Sequence, residues 1–245
     1  KNGKLKDGLA LLDEVVRSGK VQQLSHCNLS ALIYGCIHSN QAEQYKWIWE
    51  RVVNEYNVKP NFISYSLAIN AASRCKDMEN IVHLTEQLFA HCKQEMDTQT
   101  FNELINAFGR MQEIEDMFAI YRKMQHMGAN SKCSADSCTM SLLLNHCIKS
   151  KRFDKFDELL SEILASKDKI LQFVDHIVLV CILDGITRKN ECERMQGIWH
   201  RIVIECNVRP NINCYATAVL AASKMRDRER AHELVTEFVA CMRAQ

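Results

Sequence analysis

Apolar residues recur along the chain at three- and four-residue spacing. Met78, Ile81, Val82, Thr85 and Leu88 mark one helical face, and Ile114, Met117, Phe118, Tyr121 and Met124 fall on the same slots 36 residues later. Carried through the chain, one slot reads Leu12, Trp49, Thr85, Tyr121, Leu160, Trp199, Val235, a run that fits inter-helix core rather than a cofactor box. Helices of about 12 to 15 residues are marginal alone. Stacked in pairs they bury one another's apolar faces, so the pattern predicts an all-α protein of about twelve helices, no strand, arranged as a right-handed α-solenoid.

The pattern is repetitive at two levels. Asn57-Val58-Lys59-Pro60-Asn61 returns as Asn207-Val208-Arg209-Pro210-Asn211. At the same offset of 150, Ile48-Trp49 meets Ile198-Trp199, Tyr65 meets Tyr215, and Ala71-Ala72-Ser73 meets Ala221-Ala222-Ser223; His26–Cys92 against His176–Met242 gives 23 identities in 67 ungapped pairs. Within the block, Tyr65-Ser66-x-Ala68-Ile69-Asn70 matches Phe101-Asn102-x-Leu104-Ile105-Asn106, and Met140-Ser141-x-Leu143-Leu144-Asn145 follows. The single domain therefore divides into a partial unit, 1–25, and six units: His26–Asn61, Phe62–Asp97, Thr98–Asp136, Ser137–Asp175, His176–Asn211 and Ile212–Gln245. The third and fourth are longer, and loops are expected at Gly128–Asp136 and Leu164–Asp175. Because the array opens and closes in mid-unit, the chain reads as part of a longer one, with any targeting peptide upstream.

Composition narrows the choice. With 8 glycines and 2 prolines in 245 residues, turn formers are too scarce for a sandwich or barrel, which turns every few residues. The longest wholly apolar run, Ile177–Leu183, is seven residues, against ~20 for a membrane helix. The net charge of +1 leaves only the placement of charge to speak about polyanionic partners. Twelve cysteines without a C-x-x-C pair read as reduced, buried small hydrophobes, not as a zinc site.

Helix pairs of this period, with Lys59-Pro60-Asn61-Phe62-Ile63-Ser64-Tyr65-Ser66, Thr100-Phe101-Asn102-Glu103-Leu104-Ile105-Asn106-Ala107-Phe108-Gly109-Arg110 and Ile114-Glu115-Asp116-Met117-Phe118 through Met124, resemble the pentatricopeptide repeat family of organellar RNA-binding proteins. The tetratricopeptide repeat, the nearest rival, has a Trp, Leu-Gly and Tyr spacing in its first helix that is missing here. The resemblance implies a reader of single-stranded RNA, one base per repeat, that uses a first-helix residue and the last residue of the repeat. The pairs are Ser30 with Asn61, Ser66 with Asp97, Asn102 with Asp136, Ser141 with Asp175, and Val180 with Asn211, while Ala216 stands alone. By the family's rule the first four read A-G-U-G from 5′ to 3′, with specificity fading toward Val180. The plainer reading of Asn61, Asp97 and Asp136 is that they cap the helices they precede.

Eight residues after each first-helix reader come His38, Arg74, Arg110, Lys149, Arg188 and Lys224. The resemblance implies that Arg74, Arg110, Lys149, Arg188 and Lys224 contact phosphates along the concave face, as single-strand binding needs; pairing of each cation with a helix C-terminus is the structural alternative. The family's wedge position, next to each repeat's start, holds Cys27, Ile63, Gln99, Cys138, Ile177 and Asn213. Two functions are expected from these features. One is an RNA-binding factor in mitochondrial RNA processing, stability or translation, in the matrix, with the plastid as second choice. The other is a scaffold in a mitochondrial ribonucleoprotein such as the mitoribosome, where the solenoid packs on proteins and rRNA. No catalytic group, cofactor, metal, membrane or small-molecule substrate is expected, since the H-x-E and C-x-x-C signature of the family's deaminase extension is absent and the repeats take up the whole chain.

Overall fold

The structure is a computed structural model that describes residues 3–128 and 133–243. No strand occurs among them. The helices are α1 (Gly3–Arg17), α2 (His26–His38), α3 (Tyr45–Trp49), α4 (Phe62–Arg74), α5 (Met78–His91), α6 (Thr98–Arg110), α7 (Ile114–Gly128), α8 (Ser137–Lys149), α9 (Phe153–Ile163), α10 (Lys167–Phe173), α11 (His176–Lys189), α12 (Met195–Trp199), α13 (Ile212–Lys224) and α14 (Arg228–Arg243). The chain divides into two compact units, Lys1–Ser134 and Ala135–Gln245. In the first, α2, α4 and α6 lie side by side, each against its own second helix, α3, α5 or α7; in the second, α8, α11 and α13 do the same, with α9 against α8 and α14 against α13. Each unit is thus an all-α solenoid stack of helix pairs.

The first helices start where they do because the preceding residue supplies an acceptor. Asn61, Asp97, Asp136 and Asn211 each accept a hydrogen bond from the backbone N–H three residues on, and Asp175 from Ile177 and Val178. These bonds satisfy amide groups that a helix start leaves unpaired. The first helices end alike. Asn40, Lys76, Gln112, Lys151, Asn190 and Arg226, one per repeat, take a left-handed conformation with φ between 56° and 65°. The next N–H then reaches back five residues, as from Asp77 to the Ala72 carbonyl at 3.0 Å and from Glu113 to that of Phe108 at 3.1 Å, closing the helix in a Schellman-type turn.

The 150-residue duplication is kept in detail. Both α3 and α12 run on as π-helices, over Glu50–Glu55 and His200–Glu205. Trp49 lies 5.3 Å from Tyr65 between ring centroids, and Trp199 5.2 Å from Tyr215. Of the core slot, Leu12, Thr85, Tyr121, Leu160 and Trp199 are buried. Trp49 is only half-buried, and Val235 is exposed because α14 turns Leu234 inward instead. Val82 also departs from the expected face: it is exposed, and Leu84 takes its place in the core of α5.

Leu164–Asp175, expected as a loop, contains helix α10. Ser166 caps it by accepting from the Lys169 N–H at 3.2 Å, and Ile170 and Phe173 are buried. Of the loop expected at Gly128–Asp136, residues 129–132 lie outside the described residues. Gly185 marks a close helix approach in the second unit: a Cβ there would run into the Phe156 ring. The cysteines pair in no disulfide among the described residues, and seven are buried; burial pushes the Cys147 thiol up to about 12 and that of Cys36 to about 11. No single helix among the described residues is long and apolar enough to cross a membrane.

Candidate nucleic-acid interface

One hollow with expected site residues lies between α4 and α6. Ser66 and Asp97, one of the expected reading pairs, line this hollow of about 310 Å³ together with Ile63, Leu67, Gln99 and Glu103. The expected wedge residues Ile63 and Gln99 therefore flank the pair. Ile63 is 45% exposed.

Within that hollow the polar atoms are sorted. The Ser66 hydroxyl donates to the Ile63 carbonyl at 3.0 Å, so its lone pairs remain for an incoming donor. Asp97 Oδ1 accepts from the backbone N–H and the hydroxyl of Thr100, both at 2.8 Å. Its second oxygen has no partner among the described residues. Glu103 is tied to Asn70 at 2.6 Å and to Gln99 at 3.2 Å.

The other pairs follow the same division to different degrees. Asn61 Oδ1 accepts from the Ser64 N–H and hydroxyl, both at 2.9 Å, which leaves its amide N–H groups unpaired; Ser30 and Ser64 share a bond of 2.9 Å between hydroxyls. Since the single Ser64 proton goes to Asn61, Ser30 is the donor to Ser64. In the second unit the Ser141 hydroxyl donates to the Cys138 carbonyl at 2.9 Å, and Asp175 caps α11 through Oδ1 alone. Val180 is half-buried and offers no hydrogen bond, while Asn211 caps α13 by accepting from Cys214 at 3.0 Å. Asn102 departs from the series: it is 4% exposed, whereas its counterparts Ser30, Ser66, Ser141 and Val180 are partly open. Asp136, which caps α8 by accepting from Thr139 at 2.8 Å, belongs to the other compact unit. The wedge residues Cys27, Cys138 and Asn213 are exposed, and Ile177 is 52% exposed.

The cations are all exposed, and each unit holds its own set. In the first unit Arg74 makes no ion pair among the described residues; its Nε donates to Asn70 Oδ1 at 3.1 Å. Arg110 donates to the Ser73 hydroxyl at 3.3 Å, one residue before Arg74. Partial desolvation, and then the adjacent Arg74 charge, hold the Arg110 guanidinium below the ordinary arginine range. In the second unit Arg188 is ion-paired with Asp184 at 2.8 Å, and Lys224 donates to the Thr187 carbonyl at 3.0 Å. Lys149 is exposed. Two of the five, Arg110 and Lys224, thus reach the end of the preceding first helix, as the cation–C-terminus alternative expects, without losing access to solvent. No group of three or more His, Cys, Asp or Glu that could hold a metal ion occurs among the described residues.

The family model described as PPR repeat matches residues 99–128. That stretch is similar to a pentatricopeptide repeat. The matched stretch covers α6 and α7, whose expected core residues Ile114, Met117, Phe118, Tyr121 and Met124 are all buried. Solved pentatricopeptide repeat structures share the fold. The protein PPR10 in complex with an 18-nt psaJ RNA element matches with a TM-score of 0.63 at 17% identity, over 96% of this chain and 31% of that one. A PPR10 variant with three cysteines replaced by serine, bound to the same element, matches equally. Nuclear proteinaceous RNase P 2 from A. thaliana matches with a TM-score of 0.58 at 18% identity, over 75% of this chain and 39% of that one. The chain thus spans about a third of the length of these structures. Among curated proteins, none matches its sequence.

Proposed function

We propose that the protein binds single-stranded RNA, and that the pentatricopeptide repeats address successive bases through Ser30/Asn61, Ser66/Asp97, Ser141/Asp175 and Val180/Asn211. The observation that carries this reading is the hollow in which Ser66, Asp97, Ile63 and Gln99 meet. Capping and base reading do not compete there, because Asp97 caps with one oxygen and keeps the other. The hydroxyl lone pairs of Ser66 and the open Asp97 oxygen form two acceptors. Guanine presents two donors, N1–H and the exocyclic amine, on its pairing edge. Where asparagine replaces aspartate, as at Asn61, a donor faces the base in place of an acceptor, which suits the ring nitrogen of adenine. Arg74 and Arg110, like charges side by side, gain from a phosphate between them.

The same resemblance supports a role in mitochondrial RNA processing, stability or translation. The scaffold reading keeps one specific observation in its favour: with Asn102 buried, Val180 apolar and Ala216 in the last reader slot, about half of the array is poorly equipped to discriminate bases. Competition between short RNAs carrying A-G-U-G and the same strand with A in the second place decides between the two. Sequence reading requires the G strand to bind more tightly; equal binding of the two strands assigns the protein to scaffolding.

A further inference from the structure

We propose that Tyr34, packed against the tilted ring of His38, is a platform for a nucleobase at the Ser30 end of a bound strand. The proposal rests on the RNA-binding reading above and deepens it by adding a stacking site that no reading pair supplies.

Tyr34 lies on α2 one turn beyond Ser30, and His38 one turn beyond that, so the three share a face of the helix. Tyr34 is 54% exposed. Its ring centroid lies 4.1 Å from that of His38, with 42° between the planes. Its hydroxyl has no hydrogen-bond partner among the described residues. The ring contributes little to the core; it is held at the surface by a second ring.

The repeats themselves provide the control. The slots of Tyr34 and His38 hold Asn70 and Arg74 in the next repeat, joined by a bond of 3.1 Å, and Asp184 and Arg188 in the fifth, joined at 2.8 Å. Polar–cation pairs thus occupy this place in the second to fifth repeats, with Asn106 and Arg110 in the third and Asn145 and Lys149 in the fourth, while the sixth has Leu220 and Lys224; this is the face where a phosphate is expected. In the first repeat an aromatic pair replaces them. A strand crossing that repeat meets a π-face instead of a guanidinium. Base stacking on an aromatic ring is tolerant of sequence, because every base has a π-face, so this end of the array would hold the strand without reading it.

The test uses 2-aminopurine, whose fluorescence is quenched by stacking, placed in an A-G-U-G strand at the base facing Ser30 and Asn61 or at the base immediately 5′ of it. The wild-type protein is expected to quench the probe at one of these two places. Tyr34→Ala should abolish the quenching and weaken binding by roughly 5- to 150-fold, whereas Tyr34→Phe should retain both. The position is exposed, so an unchanged thermal melt is expected to show that the alanine variant is folded. If the wild type binds the strand but Tyr34→Ala binds equally well with unaltered fluorescence, the platform is wrong and the RNA-binding reading stands. If the wild type binds no single strand, both fall.

Discussion

Asp97 holds Thr100 twice through a single oxygen: Oδ1 accepts from the Thr100 backbone N–H and from its hydroxyl, each at 2.8 Å. The cap on α6 is therefore complete without Oδ2, and the two candidate roles of Asp97 sit on different atoms of one carboxylate.

That separation makes the roles testable one at a time. Asp97→Asn keeps the Oδ1 acceptor and exchanges the open oxygen for an amide N–H. Its stability should stay within about 0.5 kcal/mol of wild type, while preference at the second nucleotide moves from G to A. Asp97→Ala removes the cap as well and should cost about 1 kcal/mol. Urea unfolding and strand competition on the same two variants check both halves. A destabilised Asp97→Asn with no change of preference would mean that the residue is a cap alone.

The two tryptophans of the duplicated block give a second prediction. Trp199 is 1% exposed, whereas Trp49 is half-buried, so Trp199→Ala should cost about 3–5 kcal/mol and Trp49→Ala at least ~1 kcal/mol less. The buried Trp199 indole N–H also has no hydrogen-bond partner among the described residues. Trp199→Phe gives up ring volume but removes an unsatisfied donor, whose burial costs about 1–3 kcal/mol. It should therefore fall within ~1 kcal/mol of wild type in chemical denaturation, far from the alanine variant.

The left-handed turn that ends each first helix supports a stabilising substitution. Gln112 is exposed and sits at φ 65°, where a side chain costs roughly 1–2 kcal/mol and glycine nothing. Glycine loses about 0.5–1 kcal/mol of that through its freer unfolded chain. Gln112→Gly should therefore raise stability by about 0.5–1 kcal/mol, a shift of ~1–4 °C in melting temperature for a chain of this size, as calorimetry would show.

These turns also mark where the sequence was hard to read. The starts of α2, α4, α6, α8, α11 and α13 were legible, since each first helix begins just after an acceptor side chain and carries its apolar residues at fixed slots. The ends were not: glycine, the usual sign of a left-handed turn, is replaced by Lys76, Gln112, Lys151 and Arg226, which carry no such signal. Helix α10 was hidden for a related reason. Its seven residues bury only Ile170 and Phe173, too few for periodicity to separate a helix from a loop. At the site, the capping side chains and the exposed residues next to them follow from repeat position, because position fixes the face of the helix. The burial of Asn102 does not follow, since its exposure depends on what packs over it and not on its own slot.

The placement of cations yields the prediction that separates a strand binder from a scaffold. Each phosphate contact to a single strand adds about 0.7 to the slope of log affinity against log salt. Changing Arg74, Arg110, Lys149 and Arg188 together to Gln should therefore weaken binding to any single strand and flatten that slope by up to ~2–3. The contributions should be unequal. Arg188 is already paired with Asp184, so Arg188→Gln alone should change the slope least. Asp184→Asn, which frees the guanidinium, should instead tighten binding and steepen the slope by up to ~0.7. Filter binding between about 50 and 200 mM salt measures all three. A slope that is the same in the wild type and the fourfold variant would remove these residues from the strand's path and leave them with the helix ends that Arg110 and Lys224 already reach.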